Sequence, residues 1–125
     1  MTTLTTGSRA RRRLLLASDR SDRSGDLGAI LQRFGDVDIT LTSEIPDAPA
    51  RRLSGIVVDI NLRSAESVLR VRDKLCAEAY RLVPRLFVLA DAHHHGSMQA
   101  WALGATDTIS RPFDAQVILQ RIRSA

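Results

Sequence analysis

The chain has 125 residues, of which 44% are apolar and 26% are charged, and its formal net charge is +4. This length fits one domain, and the composition is that of a globular protein, so it excludes a disordered, collagen-like or coiled-coil chain. No apolar stretch approaches the roughly 20 residues of a membrane helix, and the run that begins at Leu14 is too short for a secretory signal. Because Cys76 is the only cysteine, there is no disulfide framework, and we expect a soluble, cytoplasmic protein.

Apolar runs and amphipathic segments alternate along most of the chain. Residues 1 to 10 are polar and without periodicity, so we expect a loose leader before a single domain that covers residues 11 to 125. The apolar runs predict five strands, at residues 14 to 17, 37 to 41, 55 to 60, 86 to 90 and 106 to 110. Such alternation predicts an α/β fold, a doubly wound parallel sheet with helices on both faces.

The amphipathic segments predict a helix after each strand, although residues 43 to 53 allow at most a short one. Helix caps are expected at Asp22, Ser64 and Asp114, and glycine stops at Gly35 and Gly104. The helix after Ser64 is expected to bury one face, formed by Val68, Val71, Leu75 and Ala79. Cys76 is expected to be a small buried residue. Trp101 is either a core residue or an exposed anchor for a partner.

Polar residues follow three of the predicted strands. Asp19 follows the first strand, Asp59 and Asn61 lie at the end of the third, and Arg111 follows the fifth. Ligands of open parallel sheets bind beyond the carboxyl ends of the strands, so we expect these residues in one shallow basin if the first and third strands are neighbours. Two close carboxylates recruit a cation such as Mg²⁺. Arg111 suits a phosphate, or pairs with Asp59.

Two segments resemble the receiver domains of bacterial response regulators, the family typified by CheY. Residues 104 to 114, with Arg111-Pro112-Phe113, are similar to a family segment that carries Lys-Pro-Phe, and residues 57 to 62 are similar to the segment around the phosphoacceptor aspartate. The resemblance covers residues 11 to 125 and implies a (βα)5 sheet of strand order 2-1-3-4-5, with a cis bond before Pro112. It also implies that Asp59 accepts the phosphoryl group. The Mg²⁺ ligands that it implies are Asp19, Asp59 and the backbone carbonyl of Asn61.

Four positions depart from the family pattern. The acidic pair after the first strand reads Ser18-Asp19, the hydroxyl residue of the fourth strand is Leu89, the lysine is Arg111, and the aromatic residue of the fifth strand is Thr108. Leu89 cannot hydrogen-bond a phosphoryl oxygen, a loss of about 1–3 kcal/mol, and Ser18 leaves a weaker Mg²⁺ site. We therefore expect an atypical receiver that is not an enzyme and that acts as a signalling and dimerisation module through its last two helices and fifth strand. Its partner would be a histidine kinase, a phosphotransfer protein or an attached output domain.

Three further interpretations remain beside this one. Asp59 could accept a phosphoryl group from a histidine kinase with Mg²⁺, with weak autophosphorylation and autodephosphorylation activity. Basic residues at the start of the chain could contact nucleic-acid phosphates, namely Arg9, Arg11, Arg12 and Arg13. The absence of a recognition-helix pattern and an aromatic content of 4% argue against that partner. His93, His94 and His95 could bind a metal, but adjacent residues point in different directions, which favours a solvated loop.

Overall fold

The core of the protein is a five-stranded parallel sheet. The computed structural model describes residues 12–19, 24–90 and 94–124. The strands are β1 (Arg12–Ser18), β2 (Gly35–Leu41), β3 (Gly55–Asp59), β4 (Arg85–Leu89) and β5 (Asp107–Ser110). Their order is β2-β1-β3-β4-β5, and every pairing is parallel. The predicted fold class and strand order are confirmed, so the carboxyl ends of β1 and β3 lie side by side.

In the part of the chain that the structure describes, four α-helices cover the two faces of this sheet. They are α1 (Ser24–Gln32), α2 (Ala65–Leu75), α3 (His94–Ala102) and α4 (Ala115–Ser124). On one face Leu31 of α1 and Ile118 of α4 share a buried apolar cluster with β1. On the other face Val71 of α2 and Ala100 of α3 pack in a second cluster with Phe87. Strands with two covered faces are expected to be continuous apolar runs, which is the pattern that the sequence shows.

Two of the predicted helix caps are present as expected. The hydroxyl of Ser64 accepts a hydrogen bond from the backbone N–H of Ser67 at 3.3 Å, and the carboxylate of Asp114 accepts one from the N–H of Val117 at 3.0 Å. Each bond satisfies a donor that the first turn of a helix leaves without an intrahelical partner. The third predicted cap, Asp22, lies outside the described residues.

The two predicted glycine stops have different outcomes. Gly104 does follow the end of α3, with a φ of +88°, a conformation that favours glycine. Gly35 does not end α1, because the helix already ends at Gln32 and Gly35 is the first residue of β2. A Cβ atom at Gly35 would lie 2.2 Å from the carbonyl oxygen of Arg12. Glycine is therefore required there by the close approach of β1.

The end of α2 corrects two further predictions. Ala79 was expected on the buried face of this helix, but the helix ends at Leu75, and Ala79 is exposed in a following 3-10 turn. Cys76 is exposed rather than buried, because the chain leaves the helix at this residue and the helical spacing no longer applies. The residue that is fully buried instead is Tyr80, whose hydroxyl donates to the carbonyl of Pro46 at 2.8 Å.

The remaining differences concern element boundaries. Between β2 and β3 the described chain forms a 3-10 turn at Thr42–Glu44 and no α-helix, which agrees with the weak helical signal of this segment. The fifth strand begins at Asp107 rather than at Thr106. The peptide bond between Arg111 and Pro112 is cis, as the resemblance implied. In the described part of the chain, no helix combines the length and the apolar content needed to cross a membrane.

Candidate functional site

An ion pair joins the carboxyl ends of β3 and β5. Asp59 is the last residue of β3 and is 3% exposed, and Arg111 directly follows β5. The guanidinium Nη1 donates to Oδ1 of Asp59 at 2.9 Å, and Nη2 donates to Oδ2 at 3.1 Å. These two parallel bonds are the arrangement in which the planar guanidinium matches a carboxylate. Both oxygens of the predicted phosphoacceptor are therefore engaged by one side chain.

The surroundings of Arg111 strengthen this pair. The hydrogen bonds to Asp59 raise the pKa of Arg111, against the opposing effect of partial burial. The guanidinium carbon also lies 5.6 Å from the centre of the Phe113 ring, within the range of a cation–π contact. The backbone N–H of Arg111 donates to the carbonyl of Leu89 at 2.9 Å, which extends the pairing of β4 and β5 by one residue. Arg111 is therefore held in place from several directions.

Asp19 connects the end of β1 to the loop after β3 and to α2. Its Oδ2 atom accepts a hydrogen bond from the backbone N–H of Asn61 at 2.6 Å and a longer one from the hydroxyl of Ser67 at 3.4 Å. The backbone carbonyl of Asn61, a predicted metal ligand, accepts the N–H of Ser64 at 3.0 Å. The structure thus brings Asp19 and Asn61 together, and it places Ser18 opposite Asp59 in the sheet register.

Ser67 is a member of this network that the sequence analysis missed. It is buried, and it lies one helical turn before Val71 on the inner face of α2. A hydroxyl on an otherwise apolar helix face is a signal that the sequence contains, because a buried polar group requires a partner. The partner itself, Asp19, is 48 residues away in the sequence.

Two further positions that depart from the family pattern, Ser18 and Leu89, lie at this edge of the sheet, and Thr108 lies two residues before the end of β5. Leu89 is the last residue of β4, is 4% exposed and faces its register partner Ser110 in β5. Thr108 is half-buried in β5. Ser18 is fully buried and has an interaction partner. Leu89 is thus a buried apolar residue where the resemblance calls for a hydroxyl.

Other residues singled out in the sequence lie away from this basin. Trp101 is on the outside of α3 and is half exposed, so the alternative of a core residue is wrong. His93 and the side chains of His94 and His95 lie outside the described residues. Among the side chains that the structure describes, no group of three histidine, cysteine, aspartate or glutamate residues could hold a metal ion.

Comparisons with known proteins give matches by structure only. No family model matches the chain, and no curated protein matches it. The chemotaxis protein CheY4 of Vibrio cholerae superposes with a TM-score of 0.76 and 19% identity, over 92% of this chain and 98% of that one. The signal receiver domain of a histidine kinase from Syntrophus aciditrophicus gives a TM-score of 0.71 and 16% identity, over 90% and 88% of the two chains. The chain has the fold of a response-regulator receiver domain.

A further receiver structure is informative about metal binding. The receiver domain of the sensor histidine kinase PA1611 from Pseudomonas aeruginosa has a TM-score of 0.68 and 24% identity, over 93% of this chain and all of that one, and it holds a magnesium ion in its active-site cleft. In the present receiver fold, both oxygens of Asp59 accept from Arg111, and Oδ2 of Asp19 and the carbonyl of Asn61 accept from backbone N–H groups. A guanidinium thus occupies the carboxylate of Asp59, and Mg²⁺ would compete with Arg111 for this carboxylate.

Proposed function

We propose that this receiver fold is a protein-interaction module of two-component signalling that works without phosphoryl transfer. The observation that carries the proposal is the two-point pairing of Asp59 with Arg111, at 2.9 and 3.1 Å. A carboxylate must present a free oxygen to a phosphoryl donor, and here both oxygens are held by a cation that belongs to the chain. The ion pair thus favours a basin that stays closed over one that gains and loses a phosphoryl group.

The chemistry of phosphoryl transfer supports this interpretation. Transfer depends on positioning and on neutralising the charge of the phosphoryl oxygens, for which a metal ion and hydrogen-bond donors are needed. Leu89 offers no donor, and Asp19 already accepts from Asn61 and Ser67. The charge of Arg111 is directed at Asp59 itself. Among the described residues, Leu89, Asp19 and Arg111 thus leave no free side-chain donor or cation for a phosphoryl group on Asp59.

The face formed by α3, β5 and α4 is the proposed docking surface for a partner protein. Met98 and Trp101 of α3 are 57% and 50% exposed, and Val117 of α4 is 38% exposed. Beside β5 lies an open groove of about 490 Å³, lined in part by Thr108 and Phe113. Exposed aromatic and methionine side chains are typical anchors of protein interfaces. A histidine kinase, a phosphotransfer protein, an attached output domain or a second copy of the chain would fit this surface.

The proposal is tested by incubation with a small-molecule phosphodonor and Mg²⁺, followed by intact-mass measurement. We expect no phosphoryl addition under conditions that label an ordinary receiver domain, because Asp59 has no free oxygen. Asp59→Asn is the matched control, since it removes the acceptor and keeps the size of the side chain. A phosphoryl group that appears on the natural chain and is absent from Asp59→Asn would establish the phosphoacceptor function instead.

The docking surface is tested by self-association, which can be measured before any other partner is identified. We expect a concentration-dependent dimer in sedimentation velocity, and we expect Trp101→Ala to shift it to the monomer because the aromatic anchor is lost. Leu82→Ala is a suitable control, since Leu82 is 86% exposed and lies before β4, on another part of the surface. A dimer that is insensitive to Trp101→Ala would contradict this assignment of the surface.

A further inference from the structure

The charged side chains divide unequally between the two edges of the sheet. In this fold the helices run antiparallel to the strands, so the last turns of the helices lie beside the first residues of the strands. Several basic residues lie at this amino edge, including Arg72 and Lys74 in the last turn of α2 and Arg121 and Arg123 in the last turn of α4. The opposite, carboxyl edge holds Asp19 and the Asp59–Arg111 pair. Among the described residues, the amino edge is therefore the basic side.

Most carboxylates at the amino edge are already neutralised. Four ion pairs account for them, namely Asp47 with Lys74, Asp73 with Arg72, Glu78 with Arg81, and Asp107 with Arg121. Asp36 of β2, the register partner of Arg13, is also engaged in an interaction. Most acidic groups of this edge are thus paired with basic groups of the same edge.

An excess of arginine remains after this pairing. We call it the amino-edge patch, and it consists of Arg12, Arg13, Arg33, Arg51, Arg52 and Arg123. None of the six takes part in an ion pair formed between described residues. Arg12 lies over the ring of Phe34, with 5.1 Å between the guanidinium carbon and the ring centre. The patch is thus a surface of guanidinium groups that form no ion pair with a described carboxylate, although Asp36 is the register partner of Arg13.

The register of the sheet explains why residues so far apart in sequence meet here. Arg12 is paired with Gly35 in β2, so Arg33 lies just before the strand next to it. The N–H of Ser54 donates to the carbonyl of Arg13 at 2.8 Å, so Arg52 lies before the strand on the other side. Neighbouring strands are about 4.8 Å apart. The arginines therefore form a short row across the starts of β2, β1 and β3.

The fold itself explains only part of this row. Arg33 directly follows α1, and Arg123 lies in the last turn of α4. At both places a positive charge is stabilised by the helix dipole. Arg13 is an exposed residue of β1, and Arg51 and Arg52 are exposed residues that precede β3, so none of the three belongs to a helix end. Grouping like charges in this way is unfavourable unless an external anion is bound. An anionic partner is therefore the simplest reason for the row.

We propose that the amino-edge patch binds the phosphate backbone of nucleic acid without reading its sequence. Protein interfaces have an apolar centre, whereas nucleic-acid interfaces are more polar and far more positively charged. All six patch residues are arginines, although the exposed Leu82 lies before β4 at the same edge. The density of guanidinium groups suits a phosphate backbone better than an acidic protein segment. This partner is separate from the proposed docking of a protein on α3, β5 and α4.

The geometry of the amino edge also explains why the patch would not recognise a particular base sequence. Helices α1, α2 and α4 present their last turns at this edge, so none is placed to lie along a groove of a duplex. Phe34 is covered by Arg12 and is not available for stacking with a base. The sequence arguments against nucleic acid concern base recognition, and they do not apply to backbone contacts, which depend on charge alone.

The experiment is a titration of the full chain against a fluorescently labelled DNA duplex of mixed sequence, followed by anisotropy between about 50 and 200 mM salt. Each neutralised phosphate contributes a slope of about −0.9 in log K against log salt, so we expect a slope of about −3 to −5. A second duplex of scrambled sequence should bind within about twofold. Arg51→Gln/Arg52→Gln should weaken binding about tenfold at the lowest salt and reduce the slope by about 2.

Arg63→Gln/Arg70→Gln is the matched control. It removes the same charge from residues on the loop after β3 and on α2, outside the patch, and it should leave the slope unchanged. Absence of binding at about 50 mM salt would overturn the proposal, and so would an equal loss in the control variant. Polyglutamate that binds as tightly as the duplex would also overturn it, because the patch would then be a site for acidic protein segments.

Discussion

The positive charges of two arginines, Arg111 and Arg85, are compensated in different ways. Arg111 pairs with the carboxylate of Asp59, and each partner supplies the charge that the other needs. Arg85 is 4% exposed, and its guanidinium donates to backbone carbonyls, including those of Leu75 and Tyr80. Burial lowers the pKa of Arg85, which shows the cost of placing a cation among neutral acceptors. The charge of Arg111 is thus compensated by a carboxylate, whereas the charge of Arg85 is compensated by hydrogen bonds to backbone carbonyls.

The Asp59–Arg111 pair predicts unequal effects of its two truncations. Arg111→Ala leaves a carboxylate at 3% exposure without a cation, and we expect the free energy of unfolding to fall by about 2–3 kcal/mol, less than for a fully buried pair because Arg111 is partly exposed. Asp59→Asn keeps an acceptor for the guanidinium and should cost about 1 kcal/mol. Urea unfolding measures both values. An Asp59→Asn variant less stable than Arg111→Ala would contradict this account of the pair.

At the scale of the elements, the end of α3 shows how a local signal determines where a helix stops. The N–H of Gly104 donates to the carbonyl of Trp101 at 3.0 Å, and the N–H of Ala105 donates to that of Ala100 at 3.1 Å. This pair of bonds is the Schellman motif, and it needs the positive φ that Gly104 adopts. The motif turns the chain directly into β5, whose end carries Arg111. The cap of α3 thus helps to position the basin.

Gly104 and Gly96 provide a matched pair of substitutions in the same helix region. Gly104→Ala forces a side chain into a φ of +88° and should lower the free energy of unfolding by about 1 kcal/mol. Gly96→Ala adds a methyl group within α3 where no heavy atom lies within 4 Å, and it should raise the free energy of unfolding by about 0.5–1 kcal/mol. Thermal unfolding of the two variants measures both changes. Equal effects would show that φ at Gly104 is not the reason for the glycine.

At the scale of the whole molecule, the two edges of the sheet carry opposite kinds of electrostatics. The carboxyl edge is a closed network in which Asp19 and Asp59 are satisfied by groups of the chain. The amino edge is open, with arginines that the described carboxylates do not neutralise. The network at the carboxyl edge requires no added ion, whereas the arginines of the amino edge attract anions. The proposed activity of the domain at its docking face therefore does not depend on a change of charge in the basin.

The closed carboxyl edge predicts that Mg²⁺ does not stabilise the protein. A ligand that binds only the folded state adds about 2.7 kcal/mol at 100 times its Kd. We expect no rise in the thermal midpoint on adding Mg²⁺ when ionic strength is kept constant with a sodium salt, which controls for screening at the amino edge. A midpoint that rises with Mg²⁺ concentration, and no longer does so in Asp59→Asn, would show that the metal displaces Arg111 from Asp59.

The elements could be read from the sequence because their signals are local, whereas the sheet order came from the family resemblance. Apolar runs, the caps Ser64 and Asp114, and the stop at Gly104 each involve residues a few positions apart, so neighbouring side chains are enough to predict them. Parallel strands bring their carboxyl ends to one edge, so Asp19, Asp59 and Arg111 were expected together only on the condition that the first and third strands are neighbours, which the resemblance supplied.

Only the tertiary structure decided how those residues are used and where the arginines gather. The two-point bond between Asp59 and Arg111 joins positions 52 residues apart, and its geometry depends on side-chain conformations that no local pattern encodes. Ser67 enters the network because α2 packs beside the end of β1. The amino-edge patch exists because strand register places chain segments before β1, β2 and β3 next to one another. Local structure depends on residues that are close together in the sequence, whereas a surface patch contains residues from segments that only the complete fold brings together.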